Sequence, residues 1–294
     1  MDSMACKSEG KMKKIIGFVL AAVLCLGGIS GFASTFTDAH GNTIELDETL
    51  EAYTDVRLLG GDSARAGETN LGDLWADALR WFAVSGKLNE FFEEDDVRAG
   101  ITSLDVDEAH VVALWNAGNL KTDIEAGIFN AEKIAEVLPY PNKVAVVYMT
   151  GAQLLEQLEA CAQGIPCGTE TVDACAAFMQ VSGLTYTIRS QETYDAGEPV
   201  GDFWFRANSV HRVSIDTVNG EAFDPDAVYA VITSNANFNG MDVSYVMKEA
   251  AETNDRSAIT TAVVRDVVWM YLKEALNNRV DAAYEKAAGR IIIE

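Results

Sequence analysis

Histidine is scarce in this chain. Three residues, His40, His110 and His211, are scattered through 294 positions. A two-metal hydrolytic centre gathers several His, Asp and Asn ligands. The sequence offers no such set, so neither a metal site nor a cofactor is expected. Asp38-Ala39-His40 copies the opening of a dinuclear site, but no His-x-His or Gly-Asn-His element follows, and a turn is the expected outcome. Other catalytic signatures are also missing: there is no Gly-x-Gly-x-x-Gly, Walker loop, His-Glu-x-x-His or Gly-x-Ser-x-Gly. No catalytic residue is expected. Cations are in deficit, with 22 Lys+Arg against 45 Asp+Glu and a net charge of −23. Phosphate backbones and anionic lipids both need a cationic face, so nucleic acid and membrane surfaces are poor partners.

Long apolar runs are nearly absent as well. One, Ile15 to Gly27, follows Lys11, Lys13 and Lys14 and precedes the small-residue stretch ending Gly31-Phe32-Ala33. This is the pattern of a cleaved secretory leader, and it is short of the ~20 residues of a membrane span. Residues 1–33 are therefore expected to be upstream sequence plus signal peptide, with Met12 as the natural start. The mature chain is expected in the periplasm, at the cell surface or outside the cell, with no membrane contact after cleavage. Leu24 ahead of Cys25 is too large for a lipid-attachment site. Three cysteines then remain, Cys161, Cys167 and Cys175, all within fifteen positions. An oxidising compartment favours one disulfide. Cys167–Cys175 would close a nine-residue loop, with a stabilisation of about 2.5 kcal/mol from loop entropy. Cys161–Cys175 is the alternative, and no His lies near enough for a zinc site.

With 49% hydrophobic and 23% charged residues, the chain can build a sizeable core. Residues 34–51 read as an amino-terminal strand and hairpin, and 52–294 as the main domain. A strand is predicted at Asp55 to Leu59. Leu71, Leu74, Trp75, Ala78, Leu79 and Phe82 recur at helical spacing, so Asn70 to Ala83 is predicted helical, with Thr69 or Asn70 as cap. The acidic stretch 86–108 reads as a solvated excursion. Strands are predicted at His110–Trp115, Lys143–Met149, Leu184–Arg189, Val213–Thr217 and Val228–Ser234. Helices are predicted at Ala131–Val137, after Thr150, and at Ala262–Asn277. Val218-Asn219-Gly220-Glu221 reads as a type I′ hairpin turn. Strands and helices mix without strict alternation, which gives an α+β class.

Five ordered blocks carry a family likeness. They are Arg65-Ala-Gly-Glu68-Thr-Asn-Leu-Gly72-Asp73 through Asp77; Asn116-Ala-Gly118-Asn-Leu-Lys121; Leu138-Pro139-Tyr140-Pro-Asn142 with Thr150-Gly151; Gln180-Val181-Ser182-Gly183; and Asn219-Gly220, Tyr229 and Asn239-Gly240-Met241-Asp242. Together they resemble the carboxy-terminal domain of 5′-nucleotidases over about residues 52–246. The resemblance implies a layered α/β/β/α domain that binds the nucleoside part of a substrate, while a separate metallophosphatase domain hydrolyses it. Between Ala33 and Arg65 there is no room for that second domain.

Carried over residue by residue, the resemblance implies a substrate cleft formed by Asn116, Lys121, Phe178, Phe238 and Asp242. Lys121 stands where the family has Arg, keeping the charge but losing the bidentate fork. Ala117 and Met241 replace glycines. Phe178 is the expected aromatic on one side of a base. The second aromatic position is Ala236, and Phe238, two residues on along a strand, is the expected substitute. The leading expectation is a nucleoside- or nucleotide-binding domain that is not hydrolytic alone. The alternatives are a specificity subunit acting with a separate metallophosphatase, and a degenerate cleft kept as an interaction module.

Overall fold

A computed structural model describes residues 33–168 and 174–294. Of residues 1–33, where a leader is expected, 1–32 lie outside the described residues, and Ala33 opens β1. The chain begins with strands β1 (Ala33–Thr37), β2 (Thr43–Asp47) and β3 (Glu51–Thr54), then helices α1 (Gly61–Ala66), α2 (Asn70–Val84) and α3 (Glu94–Arg98). It continues with β4 (Val111–Asn116), β5 (Gly127–Asn130), α4 (Ala131–Val137), β6 (Lys143–Thr150), α5 (Gly151–Cys161), β7 (Met179–Ser182) and β8 (Leu184–Ile188). After these come β9 (Ala196–Val200), β10 (Trp204–Ala207), β11 (Val213–Val218), β12 (Glu221–Ala222), β13 (Val228–Ser234) and α6 (Asn235–Phe238). The chain closes with α7 (Tyr245–Thr253), β14 (Ala258–Val263), α8 (Val264–Glu274), β15 (Arg279–Val280) and β16 (Ile291–Ile293).

The centre is a five-stranded sheet in the order β14-β6-β13-β4-β7. Its three inner strands, β6, β13 and β4, are apolar runs, as burial on both faces requires, while the edge strand β14 alternates. All six residues of β4 are buried. Strands β13 and β4 run parallel, and the other neighbours are antiparallel. Helix α2 covers β4 and β7 and packs on α8. Its apolar stripe from Leu71 to Phe82 is fully buried, and the Thr69 hydroxyl accepts from the Gly72 N–H at its start. Helix α5 begins in a capping box between Thr150 and Gln153 and touches both β6 and β11. Strand β11 belongs to a second sheet, ordered β12-β11-β8-β16. A third, β15-β3-β5, and two hairpins complete the mixed helix-and-sheet fold.

Two predicted elements move. Asp55 to Leu59 is not a regular strand: β3 ends at Thr54, and Leu58 makes a lone bridge to Ile124. The helix predicted from Ala262 begins at Val264, because Thr260, Thr261, Ala262 and Val263 belong to β14. Four of the six residues of β14 are β-branched, which favours the pleat. The acidic excursion is not wholly solvated either, since Leu88, Phe92 and Ile101 turn into the core.

Several motif residues form a buried polar frame. Gln180, fully buried, donates from Nε2 to the carbonyls of Ala64 and Gly67, both at 2.8 Å, and accepts from the Thr69 N–H at 3.2 Å. Gly72 leaves room for that side chain: a Cβ there would lie 2.2 Å from Gln180 Oε1. The Glu68 carboxylate accepts from the N–H groups of Arg290 and Ile291. Asp73 accepts from the Ala288 N–H, and Asp77 from Tyr284, Ser182 and Arg290. Thus residues 284–291 are tied to the start of α2.

Candidate functional site

Strands β4 and β13 run side by side in the same direction, so the segments leaving their carboxyl ends meet at one edge of the sheet. Ligands in α/β sheets bind at such edges. Here a cavity of about 500 Å³ opens, and Arg65, Asn116, Lys121, Tyr140, Met241 and Asp242 contribute to its wall. Asn116 is the last residue of β4, and a tight turn, Ala117–Asn119, follows it. The turn packs tightly on the segment before β7: a Cβ on Gly118 would sit 2.8 Å from the Ala176 Cβ. The Ala117 N–H donates to the Phe178 carbonyl at 2.7 Å.

The polar side chains are ordered as a relay. Asn119 Nδ2 donates to Asn116 Oδ1 at 2.8 Å, and Asn116 Nδ2 donates to Asp242 Oδ2 at 2.9 Å, across 126 positions of sequence. Asp242 has a φ of 55°, in the left-handed region that non-glycine residues rarely adopt. Burial pushes its carboxyl above the usual range, while the Asn116 hydrogen bond and the charges of Lys121 and Arg65 pull it back. Arg65 comes from α1. Lys121 lies 5.4 Å from the centre of the Tyr140 ring, a cation–π contact. Two cations, one carboxylate, several amides and an exposed tyrosine therefore face one space.

Of the five residues expected in the cleft, the structure brings together Asn116, Lys121 and Asp242. It does not bring Phe178 or Phe238. The Phe178 ring is fully buried just ahead of β7, whose four residues are all buried too. It is a core ring, and its backbone rather than its side chain supports the site. Phe238 lines a different depression with Glu93, Lys143 and Ile259. The reason is local: residues 235–238 are helix, not strand, so two positions on is not the same face. The ring that does reach the cavity is Tyr140, 47% exposed between Pro139 and Pro141. Its signal was an aromatic held between two prolines, where no regular element could bury it. Arg65 and Met241 are further lining residues that the carry-over had not placed in the cleft.

Asp38-Ala39-His40 is a turn. The Asp38 carboxylate accepts from the N–H groups of His40 and Asn42 and from the Tyr53 hydroxyl. Among the described residues no three His, Cys, Asp or Glu side chains are grouped to hold a metal ion. Cys167 and Cys175 are disulfide-bonded, with Cα atoms 6.1 Å apart, and Cys161 is a buried free thiol. Among the described residues no helix is long and apolar enough to cross a membrane.

Comparison with known proteins gives a consistent result. The family model "5'-nucleotidase, C-terminal domain" matches residues 49–249. The trifunctional nucleotide phosphoesterase protein YfkN of Bacillus subtilis is 28% identical over 81% of this chain and 13% of its own length. The cell wall protein Lmo0130 of Listeria monocytogenes is 25% identical over 76% of this chain and 22% of its own. The crystal structure of a 5′-nucleotidase precursor from Thermus thermophilus is similar with a TM-score of 0.57 and 26% identity, over 82% of this chain and 39% of that one. The chain thus spans less than a quarter of the length of these two curated relatives. The motif order, the fold and the match over residues 49–249 agree, and the chain belongs to the 5′-nucleotidase C-terminal domain family.

Proposed function

We propose that this domain is exported and binds a nucleoside or nucleotide in the cavity at the carboxyl ends of β4 and β13, and that it does not hydrolyse its ligand alone. One observation carries the reading: Asn116 and Lys121 from one motif and Asp242 from another, 126 positions after Asn116, share one cavity wall with Arg65. Each has a distinct task. Asp242, held by Asn116, accepts hydrogen bonds from ribose hydroxyls. Lys121 and Arg65 supply positive charge for a phosphate in a molecule whose net charge otherwise repels it. Tyr140 offers a flat apolar face. Export is supported by the leader pattern and by likeness to a cell wall protein and to a precursor enzyme.

The partner this implies is a separate metallophosphatase domain to which the present domain lends substrate specificity. The observation in its favour is that each of the relatives extends far beyond the matched region.

Calorimetric titration of adenosine and AMP tests the binding site. Asp242→Asn removes a charged acceptor whose hydrogen bond is worth about 1.5–3 kcal/mol, so adenosine affinity should fall about 10- to 150-fold. If wild type and variant give the same null heats with both ligands, the cleft is not a nucleoside site. The degenerate interaction module then becomes the better reading.

A further inference from the structure

We infer that Met241 is a specificity-determining residue, which holds a planar heteroaromatic base against Tyr140 and so makes the cavity select for the base rather than for the sugar phosphate alone. The inference rests on the nucleoside reading given above.

Single exposed apolar side chains are ordinary on a protein surface, and the informative case is two that share one concave wall. Among the described residues, two of the exposed ones line this cavity: Tyr140, 47% exposed, and Met241, 57% exposed. The rest of the wall is polar, charged or small, apart from Pro141. The flat apolar part of a ligand therefore has the phenol ring and the thioether to meet. Neither of the other aromatic candidates competes, since the Phe178 ring is in the core and Phe238 faces another depression.

The Met241 backbone is tied down on both sides. Its N–H donates to the Ala236 carbonyl at 2.9 Å, and its carbonyl accepts from the Ser244 N–H at 3.2 Å. The next residue, Asp242, is held in the left-handed region. A backbone conformation this unfavourable persists where its surroundings over-determine it, and such positions cluster at ligand sites. The turn delivers two consecutive side chains to one cavity, a carboxylate for the sugar and a thioether for the base. Methionine suits the second task because it is unbranched and polarisable and packs favourably on ring systems of varied shape.

Titrations of adenosine and of ribose 5-phosphate into wild type, Met241→Ala and Met241→Leu distinguish this role from a structural one. Met241→Ala should weaken adenosine about 2- to 12-fold, the span of sulfur–ring contacts. It should leave ribose 5-phosphate unchanged, and Met241→Leu, which keeps the apolar bulk without the sulfur, should recover part of the adenosine affinity. Equal weakening of both probes would mean that Met241 holds the turn, not the base, and would overturn the inference. Adenosine binding that ignores Met241→Ala but still falls with Asp242→Asn would overturn it too, while leaving the nucleoside reading intact. A wild-type protein that binds neither probe would remove both.

Discussion

Single side chains in this domain divide into those that face the cavity and those that hold it from behind. Phe178 belongs to the second group. Its ring is fully buried, so truncation leaves a hole in a packed core. Phe178→Ala should destabilise the fold by about 3–5 kcal/mol, read as a lower urea midpoint. At a concentration of denaturant where both proteins are folded, adenosine affinity should be unchanged. A large affinity loss with unchanged stability would put the ring back in the cleft. The same division explains what the sequence told at this scale. Asn116, Lys121 and Asp242 were legible because polar residues in fixed motifs sit on short loops at strand ends. Phe178 misled because an aromatic next to a motif reads alike whether it stacks on a ligand or on the core. Tyr140 and Met241 lie within motifs, yet their place on the cavity wall is not legible in the sequence, since exposure depends on which neighbours fold over a position.

At the level of elements, strong periodicity was read well. Helix α2 runs Asn70–Val84 and α4 runs Ala131–Val137, each within a residue of the pattern that announced it. The turn at Asn219-Gly220 has both residues at positive φ, 48° and 84°, as a type I′ hairpin needs. Weakly patterned segments were read less well. Asp55–Leu59 alternates like a strand but finds a single bridging partner, and α6 is four residues of helix where the pattern had suggested strand. Pairing partners are not written in a local sequence. How α1, α2 and β7 lock together was hidden for the same reason. Gln180 bonds to both sides of Arg65, at Ala64 and Gly67, and fills the space beside Gly72. Gly72→Ala should force Gln180 out and cost at least about 1–3 kcal/mol, the range for overpacking, seen as a lower urea midpoint. Wild-type stability in this variant would show that Gln180 can move without loss.

Over the whole molecule, the excess of carboxylates makes stability depend on pH, and Asp73 contributes with an unusual sign. Burial raises its pKa to about 7, partly offset by Arg290 and reinforced by Glu68. Its Oδ1 has no hydrogen-bond partner among the described residues. Below about pH 4 the folded and unfolded chains both hold the proton. Between there and about pH 7 the folded chain keeps a proton that the unfolded chain has released, so this group lowers stability as pH rises, by at most ~1.4 kcal/mol per unit. Above that window the penalty is complete. Asp38 works the other way: the hydrogen bond from the Asn42 side chain holds it near 2, so its contribution is lost as pH falls. Asp73→Asn isolates the first effect. The variant's urea midpoint, relative to wild type, should climb from pH 4 to pH 7 and then level off. A difference that stays flat across that range would mean Asp73 is ionised in the folded protein throughout.

The carboxylates at Glu68, Asp73 and Asp77 find their partners more than two hundred positions later, at Tyr284, Ala288, Arg290 and Ile291. Strand β16 then pairs with β8 inside the second sheet. A chain emerging from a ribosome or a translocation pore has already released α2 and most of the central sheet while these partners are still missing. Contacts of such sequence separation close late and slow the search for the native state. Until residues 284–291 arrive, Glu68 and Asp73 lack these partners, so that segment acts as the clasp that closes the domain around the start of α2.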